Sequence, residues 1–166
     1  MAGGGPAAGS RVIEPGQSFA APPFWLGLQR LIMCSAASRD FAPAHIISAA
    51  ARRDGAPDAY ADITFVFAMV ERLLVGWAGP GVRIRAIGPI EFTGFVLAGQ
   101  DVVTTGEVLE AVPGMVDGVP CTEVTVEVRI AQSDGRVPVT GRARCAVPSH
   151  TPGRTAASGA DSGSDR

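Results

Sequence analysis

The sequence predicts an α+β domain in which an antiparallel sheet wraps one long central helix. Three observations predict it. Residues 63–77 are an apolar stretch of helical length, introduced by Asp62 and stopped by Gly79-Pro80-Gly81. After Gly81 the chain alternates β-branched and polar residues, in segments broken by Gly, Pro and Asp-Gly. A helix apolar on nearly every side has to be enclosed by other structure, and a sheet that curls about it does so.

Taken in order, residues 1–18 are rich in Gly, Ala and Pro and are expected to be a flexible segment. Residues 148–166 have almost nothing to bury and are expected to be a disordered tail, which leaves 19–147 as the folded domain. Leu28–Ala36 is a near-continuous apolar run and reads as a buried strand. Asp40–His45 follows as a turn around Pro43. Residues 46–53 read as a short helix, broken by Asp54-Gly55-Ala56-Pro57. The long helix comes next, with Asp62 and Thr64 as capping chemistry and Ile63, Phe65, Val66, Phe67, Met69, Val70, Leu73, Leu74 and Trp77 around it. Five strands are then expected: Val82–Phe92, Phe95–Ala98, Val102–Val112, Cys121–Ala131 and Arg136–Val147. Val124, Val126, Val128 and Ile130 share one face, opposite Thr125, Glu127 and Arg129, and Asp134-Gly135 signals a hairpin. One buried helix followed by an antiparallel meander is the hot-dog fold.

Composition narrows the function. The chain has 166 residues, 46% hydrophobic and 18% charged, a globular profile whose apolar leaning suggests a surface covered by a partner. A net charge of −2 gives no footprint for nucleic acid. Lysine is absent, which excludes Schiff-base chemistry. The cysteines, Cys34, Cys121 and Cys145, form no CxxC pair, so a reducing cytoplasm is the expected setting. The first residues lack the features of a signal peptide, and the longest apolar run, near 63–70, is too short to span a bilayer. No metal-ligand spacing occurs, so neither a metal nor another cofactor is expected.

The segment Arg39-Asp40-Phe41-Ala42-Pro43-Ala44-His45 carries the chemistry. It sets a carboxylate and an imidazole five residues apart across a proline turn. Of the two histidines, His150 sits in the Pro/Gly/Ser-rich tail, so His45 is the candidate for acid–base work. An Asp before a proline turn often caps the next helix, and a lone His is often a satisfied polar group. What favours catalysis is the surrounding pattern.

That pattern resembles the MaoC-like acyl dehydratases, or (R)-specific enoyl-CoA hydratases, whose signature is Asp-x-Asn-Pro-x-His. Asp40, Pro43 and His45 are in register with it and Ala42 stands at the asparagine. The strings SRDFAPAHI, ADITFVFAMVERLLVGWAGPG and GQDVVTTGEV are similar to the small MaoC-like subunit of two-subunit steroid side-chain hydratases, over roughly residues 22–147. The resemblance implies reversible addition of water to a 2-enoyl thioester, carried on coenzyme A or an acyl carrier protein, in lipid or polyketide metabolism. It implies His45 as the base and Asp40 as the group that orients the water and helps deliver a proton, roles that could be exchanged. By ungapped counting from Asp40 it places the oxyanion-binding amide at Ile63, with Asp62 beside it as a helix cap and possible substrate contact. It also implies a homodimer or a heterodimer with a second MaoC-like chain.

The sequence departs from the family at Ala42, at Ile47, where many members carry aspartate, and at Asp62-Ile63, where single-subunit hydratases have His-Gly. Two other functions stay open: a hot-dog thioesterase using Asp62 or Glu71, and a non-catalytic partner subunit. Arg83 and Arg85 are weighed as contacts for coenzyme A phosphates, with a solvated strand face as the simpler reading.

Overall fold

A computed structural model describes residues 12–149. Most of the expected flexible segment and nearly all of the expected tail lie outside the described residues. From Gly16 the chain is bonded to the sheet: the Gly16 amide donates to the Val108 carbonyl at 2.8 Å, and the Val108 amide to that of Gln17 at 2.9 Å.

Six strands form one antiparallel sheet, β1 (Ser18–Ala20), β2 (Phe24–Leu26), β3 (Arg83–Phe92), β4 (Gln100–Val116), β5 (Val119–Gln132) and β6 (Val139–Pro148). Their order is β1-β4-β5-β6-β3, with β2 also paired to β4. The helices are α1 (Leu28–Ser38), α2 (Pro43–Ile46), α3 (Ser48–Arg53) and α4 (Ile63–Ala78). The hairpin between β4 and β5 turns at Asp117 and Gly118, with φ of 49° and 78°, as a two-residue turn that matches strand twist requires. The Asp134-Gly135 turn is present too, closed by the Gln132 amide on the Arg136 carbonyl at 2.9 Å.

The sheet curls around α4 as its periodicity predicts. Val66, Val70 and Leu74 are fully buried, each worth about 1.5–3 kcal/mol of apolar burial. Val70, Leu73, Leu74 and Trp77 pack on Val124, Val126, Val128, Ala143 and Cys145. Val66 and Met69, one to two turns earlier, meet Leu26, Leu31, Val102, Ile130 and Val139. Phe19 of β1 reaches into this core and stacks on Trp77 with ring centroids 4.1 Å apart. It passes over Gly106, where a Cβ would stand 2.6 Å from the Phe19 ring and 3.1 Å from Val126.

Four expectations change. Leu28–Ala36 is not a buried strand but most of α1. Gln, Arg, Leu, Met and Ala are good helix formers, and Ile32 is the one β-branched residue of the run. Leu31 and Ser35, one turn apart, face inward, while Ile32 and Met33 are exposed at 47% and 64%. The apolar run is therefore not a sign of burial within this chain. Phe95–Ala98 forms no strand; it makes a single bridge, Tyr60 to Leu97, flanked by the bonds Ala61 amide to Val96 carbonyl and Ala98 amide to Ala59 carbonyl. The three-residue strands β1 and β2, separated by Pro22-Pro23, were not expected at all. Finally, α4 is not enclosed on every side: Ile63, Phe67 and Val75 form a stripe 44%, 39% and 37% exposed.

Candidate active site

The end of α1 aims the site. Arg39 takes the left-handed conformation (φ 59°) and turns the chain out of the helix. Asp40 then closes a local turn, its Oδ1 accepting from the Ala42 amide at 3.1 Å. Pro43 occupies the first turn of α2, where its fixed φ suits the helix and its missing N–H leaves nothing unpaired. That one turn of helix carries His45 back over Asp40. The departure at Ala42 is thus met by backbone: its amide, not a side chain, orders the carboxylate.

The structure brings Asp40 and His45 together. His45 Nε2 lies 3.8 Å from Asp40 Oδ2, with the imidazole side chain 13% exposed and the carboxylate 39% exposed. His45 Nδ1 is 2.9 Å from the Tyr60 carbonyl. A carbonyl only accepts, so the neutral imidazole carries its proton on Nδ1 and its lone pair on Nε2. Nε2 and a carboxylate oxygen are then two acceptors too far apart for a direct hydrogen bond. A water about 2.8 Å from each would donate one proton to each, at an angle near 85°.

His45 also faces a cavity of about 240 Å³, shared with Tyr60, Ile63, Phe92, Phe95 and Val96. Asp40 stands at its margin and is not part of its lining. The head of α4 opens into it. Asp62 caps that helix, its Oδ1 accepting from the Phe65 amide at 2.6 Å, and the Val66 amide donates to the Asp62 carbonyl at 3.2 Å. The amides of Ile63 and Thr64 have no acceptor among the described residues, as the first amides of a helix do not. Free N–H groups on the positive end of a helix suit a developing oxyanion.

Asp62 is 4% exposed and its oxygens are engaged within the protein. Besides Phe65, they receive the Ser38 hydroxyl at 3.5 Å and the Cys34 thiol at 4.0 Å. Asp62 also lines the cavity beside Ile63, while its carboxylate caps α4 and ties it to α1. Burial first, then Asp62 and Asp40, raises the Cys34 pKa, so this thiol is not activated. Glu71 lies eight residues along α4 from Ile63, about 12 Å of helix rise. Arg83 and Arg85 are exposed on β3. Among the described residues no group of three or more His, Cys, Asp or Glu side chains could hold a metal ion, and no helix is long and apolar enough to cross a membrane.

Sequence reasoning missed Tyr60, Phe92 and Phe95. Nothing in their local pattern marks them; the Tyr60–Leu97 bridge and the end of β3 bring them to the cavity. A larger depression, about 360 Å³, lies between Ser18, Thr105, Glu107, Glu127 and Arg129. It holds none of the expected residues, and Arg129 spends its guanidinium on Glu127 at 2.7 Å.

No protein-family model matches the chain, and no curated protein matches it in sequence. Solved structures do match in three dimensions. One is a chain of the ChsH1–ChsH2 complex from Mycobacterium tuberculosis, with TM-score 0.68 and 23% identity over 82% of this chain and 99% of that one. Another is the R-hydratase PhaJ1 from Pseudomonas aeruginosa, with TM-score 0.70 and 24% identity over 82% of this chain and 83% of that one. The MaoC-like dehydratase from Rhodospirillum rubrum gives TM-score 0.69 and 18% identity over 84% of this chain and 95% of that one. At these identities the likeness speaks to architecture, and the chain has the hot-dog fold of the MaoC-like hydratases and dehydratases.

Proposed function

We propose that this chain is a MaoC-like hydratase or dehydratase subunit that adds water reversibly to a 2-enoyl thioester, giving a 3-hydroxyacyl thioester. The observation that carries the reading is the meeting of Asp40 and His45 at 3.8 Å beside a cavity onto which unpaired helix amides open. The thioester carbonyl draws electrons from the alkene, so C3 accepts a nucleophile and C2 then needs a proton. His45 Nε2 takes one proton from the water that Asp40 orients. The hydroxyl joins C3, and the alkene electrons move onto the thioester oxygen, where the Ile63 amide stabilises the enolate. The removed proton reaches C2 with the help of Asp40, so one water supplies both H and OH. This chemistry calls for no metal or redox cofactor. Coenzyme A or an acyl carrier protein enters as part of the substrate.

A second hot-dog chain completes the reading. The Ile63, Phe67 and Val75 stripe, the exposed Leu28, Ile32 and Met33 of α1, and Phe92 on the edge strand β3 are large apolar side chains that such a mate could cover. Ile63 and Phe92 line the cavity as well, so a homodimer or heterodimer mate seated on this surface would meet it. The match to a chain from a two-protein complex supports this arrangement.

The test is an assay of the full chain, purified with whatever co-purifies from its native cell. Hydration removes the ultraviolet absorbance of the conjugated enoyl thioester, and His45→Ala and Asp40→Asn should slow that loss by about 10²-fold or more. Release of free thiol from a saturated acyl thioester would make it a thioesterase instead. Turnover unchanged by His45→Ala in the complex would leave this chain a structural partner.

A further inference from the structure

Tyr60 is the one tyrosine of the chain, and the motif that points to Asp40 and His45 does not reach it. Three observations meet there. Its carbonyl accepts from His45 Nδ1 at 2.9 Å. Its ring stands edge-to-face with the imidazole, centroids 4.8 Å apart and planes at 79°. That ring is backed in turn by Phe95, at 4.6 Å between centroids, and its backbone is pinned by the bridge to Leu97. A single hydrogen bond leaves the imidazole free to tilt about the Nδ1–carbonyl axis. A perpendicular ring on a fixed support removes that freedom.

We infer that Tyr60 is a positioning residue acting through His45. Its carbonyl selects the tautomer with the lone pair on Nε2, and its ring, braced by Phe95, fixes the plane of the imidazole so that this lone pair stays aimed toward Asp40. The catalytic consequence rests on the hydration reading; the effect on the imidazole does not. The titratable groups facing His45 are Asp40 from the turn before α2, Tyr60 itself, and Asp62 at the head of α4. β3 and the segment after it present Phe92, Phe95 and Val96, which carry no charge. These groups meet the imidazole from other sides, so the role of the ring has to be read by changing the ring alone.

The chain allows that directly. Tyr60 is the sole tyrosine, so one substitution changes that ring alone, and His45 and His150 are the only imidazoles to assign by ¹⁵N NMR. The expected result on the purified full chain is an Nδ1–H tautomer at His45 in a single ring environment. Tyr60→Phe, which keeps the ring, should retain the tautomer and most of kcat. Tyr60→Leu should keep the tautomer, which the backbone carbonyl sets, broaden the ring signals, and lower kcat roughly tenfold with little change in KM. A purely structural residue would change the amount of folded protein and leave kcat per folded molecule in place. An Nε2–H tautomer, or a Tyr60→Leu protein with unchanged ring signals and kcat, overturns the inference; if Tyr60→Leu does not fold, the tautomer of the wild-type protein decides. If His45 responds as expected but the wild-type protein hydrates no enoyl thioester, the hydration reading fails and the role of Tyr60 stands.

Discussion

Asp62→Ala tests how the head of α4 is held in place. The carboxylate accepts from the Phe65 amide at 2.6 Å and receives Ser38 and Cys34 of α1. Loss of an N-cap of this kind costs about 1–2 kcal/mol. Leaving the Phe65 donor without a partner in a buried setting pushes the total toward 2–3 kcal/mol. For a domain of this size that is a fall in Tm of roughly 5–10 °C. Asp62→Asn keeps an oxygen for Phe65 and a partner for Ser38, so it should lose less than about 1 kcal/mol. Urea unfolding of the three proteins, followed by far-ultraviolet circular dichroism, measures the difference as a shift in midpoint at constant slope. Hydratase activity should follow the cap, because the Ile63 amide is placed by the first turn of α4; Asp62→Asn should keep most of it. Equal damage from Asn and Ala would refute the reasoning, since the carboxylate would then be acting by its charge and not by its hydrogen bonds.

Gly106→Val should destabilise by about 2–4 kcal/mol in thermal unfolding, because its side chain would displace Phe19 from Trp77. His45→Ala should reduce hydration by about 10³-fold or more, and Asp40→Asn by about 10²-fold or more, with circular dichroism unchanged. Phe67→Glu, on the exposed stripe of α4, should leave the chain folded while sedimentation shows its association with any mate weakened. Burial raises the Cys145 thiol from 9.0 to about 11. The native protein therefore keeps this proton while the unfolded chain releases it, and stability present below pH 9 declines between pH 9 and 11. Up to about 2–3 kcal/mol should be lost over that window, and Cys145→Ala should flatten the slope of unfolding free energy against pH.

How much was legible in the chain depends on how local the determining forces are. α4 was readable because its cap, its apolar period and its Gly79 stop all lie within one stretch, and β5 because Val124, Val126, Val128 and Ile130 alternate without interruption. α1 was misread because an apolar run of nine residues satisfies a buried strand and a helix equally. Its exposed Ile32 and Met33 show that the run answers to a surface and not to the core of this chain. β1 and β2 are too short to carry a period and exist because β4 offers them a partner edge.

By itself the sequence marked Asp40 and His45 as a candidate pair five residues apart across a proline, and it determined the capped helix that follows. Only the tertiary structure decided what surrounds that pair. Tyr60, Phe92 and Phe95 reach the cavity through the Tyr60–Leu97 bridge and the end of β3. Contacts between residues so far apart along the chain are set by the closing of the whole sheet around α4, and no local spacing records them.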